Sequence, residues 1–188
     1  IVLLAGSALA QSGRVGPSAL GRPTPGEPAP TVKELFDEAN GYVKAKLTEF
    51  EEKKVPFSES LLNRTKLEQR QLAARHATTA GARTDVAGED RYFLSMLHWI
   101  AENLDGTADN LLQFVAQENA PANRAQPARV IIAVVLAKQK KLDDAEKVFA
   151  EYLSKEPRKL TERSRVHAEL AKAYQAQKAF EKMAPHAE

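Results

Sequence analysis

Residues 127–157 read PARVIIAVVLAKQKKLDDAEKVFAEYLSKEP, and whether their first half is strand or helix decides the fold. By propensity alone, Val130-Ile131-Ile132-Ala133-Val134-Val135-Leu136 suits a strand. The context predicts a helix. Pro127 suits a first helical position, and Ala128 through Lys141 is long enough for about four turns. A helix apolar on most sides belongs at the centre of its domain. Beyond Lys140-Lys141 the pattern turns back. Leu142, Ala145, Phe149 and Tyr152 share one face of a second helix, with Asp143 expected as its cap and Pro157 as its stop.

The same rhythm recurs 38 positions later, with Leu170 for Ile132, Ala171 for Ala133, Tyr174 for Leu136, Phe180 for Leu142 and Met183 for Ala145. Ala133 and Ala145 are small enough to let the paired helices approach closely. The pattern resembles a tetratricopeptide (TPR) repeat, whose usual period is about 34. The excess is expected as an insertion near Arg158–Arg163, and Met183 and Pro185 depart from the family's pattern. The resemblance implies an all-α fold of antiparallel helical hairpins in a TPR-like right-handed array with a concave binding face. Such stacks need about three repeats, so the preceding helices, or C-terminal ones beyond residue 188, are expected to complete the core.

Upstream, the apolar period stays near 3.6 from Thr31 onward. Thr31 and Glu34 form a capping box that opens a helix carrying Leu35, Phe36, Ala39, Tyr42, Val43, Leu47 and Phe50. Lys53, Lys54 and Pro56 end it. Ser58 or Ser60 caps a second helix, and residues 78–88 read as a loop. Glu89 and Asp90 open an aromatic third helix (Tyr92, Phe93, Met96, Leu97, Trp99, Ile100), stopped by Asp105-Gly106. Thr107 is expected to cap a fourth helix, broken at Ala120-Pro121. FDEAN, YVK, VPF and YFLSMLHWIAEN, followed by the TPR-like helices, are also similar to the helical N-terminal region of some exported bacterial proteins with a thioredoxin-fold redox domain further along. That likeness implies a CxxC domain beyond residue 188, but no residue here matches a thioredoxin motif.

The opening Ile1-Val2-Leu3-Leu4-Ala5-Gly6-Ser7-Ala8-Leu9-Ala10 is an apolar run half the length of a bilayer crossing, ending in small-x-small. It is expected to be the remnant of a signal peptide cleaved after Ala10. Residues 13–30, GRVGPSALGRPTPGEPAP, are half Gly and Pro and cannot hold a helix. The expected division is therefore 1–10 signal remnant, 11–30 extended or disordered linker, 31–120 N-terminal helical region, and 121–188 TPR-like repeats. The last run, Ala184-Pro185-His186-Ala187-Glu188, ends inside an unfinished helix, so a C-terminal portion is expected to be missing. The expected location is the periplasm or the exterior, with no membrane span in the mature form.

The chain lacks Cys, which excludes disulfides, thiol nucleophiles and thiolate metal sites within its 188 residues. A net charge of +2 offers no field for nucleic acid. Residues 1–121 carry 13 basic and 16 acidic groups, and residues 122–188 carry 14 and 9, so any electropositive face belongs to the second part. No GxGxxG, P-loop, GxSxG or HExxH is present. The adjacent carboxylates Glu51-Glu52, Glu89-Asp90 and Asp143-Asp144 point about 100° apart on a helix and make no catalytic dyad. No two of His76, His98, His167 and His186 share a helix face. His98 and Glu102, four apart, are the one pairing that suggests a metal or cofactor carrier. The sequon Asn63-Arg64-Thr65 falls in a helix.

These readings give no catalytic, metal or cofactor-binding residue. They point to a scaffold or interaction module whose partner is a protein or peptide, or a following domain of the same chain. The first-of-pair helices would present Arg129, Lys172 and Gln175, and Trp99 or Tyr174 would anchor a peptide if exposed in a groove.

Overall fold

The computed structural model describes residues 29–187, so the signal and linker readings for residues 1–28 lie outside it. The folded unit, Thr31–Glu188, is all-α. Its described residues form eight helices in sequential antiparallel pairs: α1 (Val32–Glu52) with α2 (Glu59–Gly81), α3 (Glu89–Ile100) with α4 (Leu104–Val115), α5 (Ala122–Lys138) with α6 (Leu142–Leu153), and α7 (Leu160–Ala176) with α8 (Phe180–Ala187). No strand forms among them. Residues 131–136 lie within α5, where eleven of seventeen residues are buried, more than in any other helix.

The last three hairpins repeat with one period. Glu102, Lys140 and Lys178 close the second, third and fourth turns in the left-handed conformation, at φ 59°, 63° and 57°, each 38 residues from the next. The same backbone bond closes each turn: Asn103 N to His98 O, Lys141 N to Leu136 O and Ala179 N to Tyr174 O, at 2.9–3.0 Å. α4, α6 and α8 start 38 residues apart. The repeat therefore has three copies rather than two, and its length belongs to every copy rather than to an insertion near Arg158–Arg163. The first copy carries Ser95 and Thr107 where the second carries Ala133 and Ala145. All four are fully buried, and the Ser95 hydroxyl donates to the Thr107 carbonyl at 2.9 Å. A small polar residue thus keeps the close approach while its hydroxyl is satisfied across the pair.

Several boundaries differ from the sequence expectations. α2 runs on to Gly81, because Thr78 and Thr79 return their hydroxyls to the Ala74 and Arg75 carbonyls while Ala77 and Ala80 are buried. Asp105-Gly106 lies inside α4 and stops nothing. Asn103 caps that helix through Gly106 N (3.0 Å), and Thr107 bonds back to the Asn103 carbonyl (2.7 Å). Gly106 is there because the His98 ring lies where a Cβ would reach within 2.7 Å. α5 starts at Ala122, where the Pro121 carbonyl accepts from Arg124 N and Ala125 N, so Pro127 is interior. Burial of Ala125, Gln126, Ala128 and Arg129 offsets the backbone bond that Pro127 lacks. Asp143 makes no cap; it sits in the first turn of α6 after Lys141, where its charge suits the dipole. α6 ends at Leu153, before Pro157, and Pro185 lies within α8.

Two apolar clusters form the core. One gathers α1, α2 and α3 around Leu35, Ala39, Ala73, Ala77 and Leu97. The other gathers α4 to α7 around Phe114, Ile132, Phe149, Tyr152 and Leu170, with Tyr92 and Trp99 of α3 packed against it. Tyr92 touches both, its ring 5.6 Å from Phe93 and 5.4 Å from Phe114.

Candidate interaction groove

The first-of-pair helices α3, α5 and α7 meet at Trp99. The Arg165 guanidinium carbon of α7 stands 5.6 Å from the Trp99 ring centroid. Trp99, Ile100, Glu102 and Leu104 face Lys138 of α5 across a cleft of about 410 Å³. Lys138 Nζ lies 3.9 Å from Glu169 of α7, which also takes Lys172 Nζ at 3.2 Å. Glu102 is held by Arg70 of α2 at 2.8 Å. The result is a half-buried indole framed by cations from three helices, an arrangement suited to holding an apolar side chain beside a carboxylate. It offers no nucleophile next to a base.

The three nominated residues do not come together. Lys172 is exposed and reaches the cleft through Glu169. Gln175, one turn further along α7, is exposed and lines none of the described clefts. Arg129 is buried at the other end of α5 from Lys138, about 14 Å along the axis, and bonds Gln126 at 3.2 Å. Tyr174 is buried, its hydroxyl donating to Glu146 at 3.2 Å, and burial beside that carboxylate pushes its pKa up to about 12. Of the two aromatics named from the sequence, only Trp99 lines a groove. Glu169, which ties Lys138 to Lys172, carried no sequence signal because it belongs to no motif.

His98 and Glu102 do not converge. His98 Nδ1 pairs with Asn103 Nδ2 at 3.2 Å while Glu102 turns to Arg70, and burial lowers the His98 pKa against an opposing pull from Asp109. His76 pairs with Glu38 at 2.9 Å. His167 and His186, on different helices, meet Nδ1 to Nδ1 at 3.0 Å, and His186 Nε2 reaches Glu146 at 2.8 Å. Their separation of 19 residues hides that meeting from any one-helix pattern. Among the described residues no three His, Asp or Glu side chains converge as a metal would require. None of these helices is long and apolar enough to cross a membrane.

Fold and groove define the class: an all-α domain of eight described helices packed as sequential hairpins. No family model, curated protein or solved structure matches the chain.

Proposed function

We propose that this protein is an exported, TPR-like interaction module that holds a peptide segment of a protein partner in the groove of α3, α5 and α7, without catalysis in these residues. The observation that carries the reading is the 38-residue hairpin repeat, in which α5 packs beside α7 and Trp99 of α3 faces Lys138 and Arg165. The segment that suits this frame has an apolar side chain next to an acidic one. Export rests on the apolar opening and its Ala8-Leu9-Ala10 end.

Trp99 is the only Trp in the chain, so its fluorescence reports the groove directly. Peptides selected from a random library on the full chain should shift its emission. Lys138→Glu should weaken them by about tenfold. Trp99→Phe, which keeps a ring in the core, should weaken them by several-fold. Selected peptides that leave the emission unmoved and bind Lys138→Glu as well as the parent would refute the groove.

A further inference from the structure

We propose that a second site, a pocket at the first turns of α5, binds a carboxylate through Arg129. The pocket, about 360 Å³, is walled by the end of α4 (Val115–Gln117), the start of α5 (Ala122, Ala125, Gln126, Arg129) and the connection after α6 (Lys155, Glu156). It lies at the opposite end of α5 from the Trp99 groove and does not depend on it.

The Arg129 side chain is 8% exposed. Of its five N–H groups, one makes a hydrogen bond, from Nη1 to Gln126 Oε1 at 3.2 Å. Nε is buried without an acceptor. Glu151 forms a long ion pair with Nε at 3.7 Å, beyond hydrogen-bond reach, with its own side chain mostly in water. A buried guanidinium N–H left without an acceptor is costly unless something enters to accept from it. Gln126 is itself buried and held: the two hydrogens of its Nε2 are shared among the carbonyls of Tyr152, Lys155 and Pro157 at 2.6–3.2 Å. The fork is therefore oriented before any ligand arrives.

Two further features favour an anion. α5 is the one helix of the eight described with no acidic residue in its first turn, and Pro121 offers no side-chain cap, so no group of the helix itself offsets the positive end of its dipole. Lys155 lines the pocket with no ion pair to any described residue. The next repeat shows what a satisfied version looks like. The position 38 residues on from Arg129 is His167, and it finds its partner in His186 of α8. The α6 residue equivalent to His186 is Val148, which has no hydrogen-bonding group.

The charge balance selects a carboxylate over a phosphate. Glu118 and Glu156 also line the pocket, and Glu156 is already engaged by Arg158 Nε at 2.8 Å. A monoanion on the Arg129 fork meets less repulsion from Glu118, Glu151 and Glu156 than a dianion does. The carboxylate can come from a free small acid or from the C-terminus of a peptide.

The test is an NMR titration of the full ¹⁵N-labelled chain, at constant ionic strength, with four probes: sodium acetate, N-acetyl-alanyl-alanine, that dipeptide's C-terminal amide, and inorganic phosphate. Saturable shifts of the Arg129 Nε–H and of the α5 first-turn amides are expected with the two carboxylates and not with the amide. Arg129→Gln should weaken both by about tenfold or more, and Lys155→Gln by about two- to fivefold. Where Arg129→Gln does not fold, Arg129→Lys, which keeps the charge and loses the fork, takes its place. A dipeptide binding more tightly than acetate assigns the site to a chain terminus, and equal binding assigns it to a small acid. Shifts that never saturate, an unchanged affinity in both the Arg129 and Lys155 variants, or a preference for phosphate would overturn the site.

Discussion

At the residue scale, the clearest case is Gly106. Its dipeptide with Asp105 has the composition of a helix stop, yet it serves as an interior position that the His98 ring fills. Gly106→Ala should therefore lose stability despite alanine's better helix propensity. Overpacking costs about 1–3 kcal/mol and the propensity gain returns about 1. In a His98→Ala background the same change should stabilise by up to about 1 kcal/mol, because the obstruction is gone. Urea denaturation of the four variants gives the cycle, and equal effects of Gly106→Ala in both backgrounds would remove the steric explanation. Sequence reading missed this because a helix stop and a close-approach glycine have the same composition. They differ only in what lies across the gap.

At the scale of elements, the turns and the last helix make opposite demands. Lys140 holds φ 63° between α5 and α6, a conformation that costs a side-chain-bearing residue about 1–2 kcal/mol. Lys140→Gly should stabilise the chain by about 1 kcal/mol, read as a rise in the denaturation midpoint with unchanged slope. A loss instead would mean that the lysine side chain contributes more than the strain costs. α8 has no fully buried residue and is held by Met183 and by His186 against His167, Glu146 and Tyr174. Burial lowers the His167 pKa below 6.5, with His186 and Arg163 adding to the shift and Glu146 opposing it. A depressed folded pKa means that docking is fully favoured above about pH 6.5 and weakens as pH falls through the lower value. Amides of α8 should then exchange faster at about pH 5 than at about pH 7.5, after correction for intrinsic rates, and His167→Phe should flatten the difference. A pH-independent protection ratio would show that the imidazole pair does not hold the helix.

Across the whole folded unit, the seam between the two apolar clusters runs through the α3–α4 hairpin, whose helices pack together more extensively than any other pair. Tyr92, shared by both clusters, spans that seam, and Arg124 of α5 adds a tie to α3, reaching Glu89 at 2.7 Å and lying 4.8 Å over the Phe93 ring. Tyr92→Ala should cost about 2 kcal/mol, less than a fully buried aromatic, and let α1 and α2 exchange separately from α5 to α7. A single cooperative transition at the parent midpoint would show that the seam is carried elsewhere. Much of this architecture was legible beforehand. Helix identity, the Thr31 cap, a serine cap at Ser58 or Ser60, the burial of α5 and the Ala133–Ala145 approach follow from period, caps and side-chain size, which act over a few neighbouring residues. The first copy of the repeat was not legible, because Ser95 and Thr107 read as polar until each is seen beneath the other. Nor was the fate of Arg129, Trp99 or the His167–His186 pair. Sequence alone determined that the chain is helical and where its helices pair, since those are local free energies. Which charged and aromatic groups end up buried, paired or facing a cleft was decided only by tertiary packing, because it depends on residues 10 to 70 positions away that no local pattern connects.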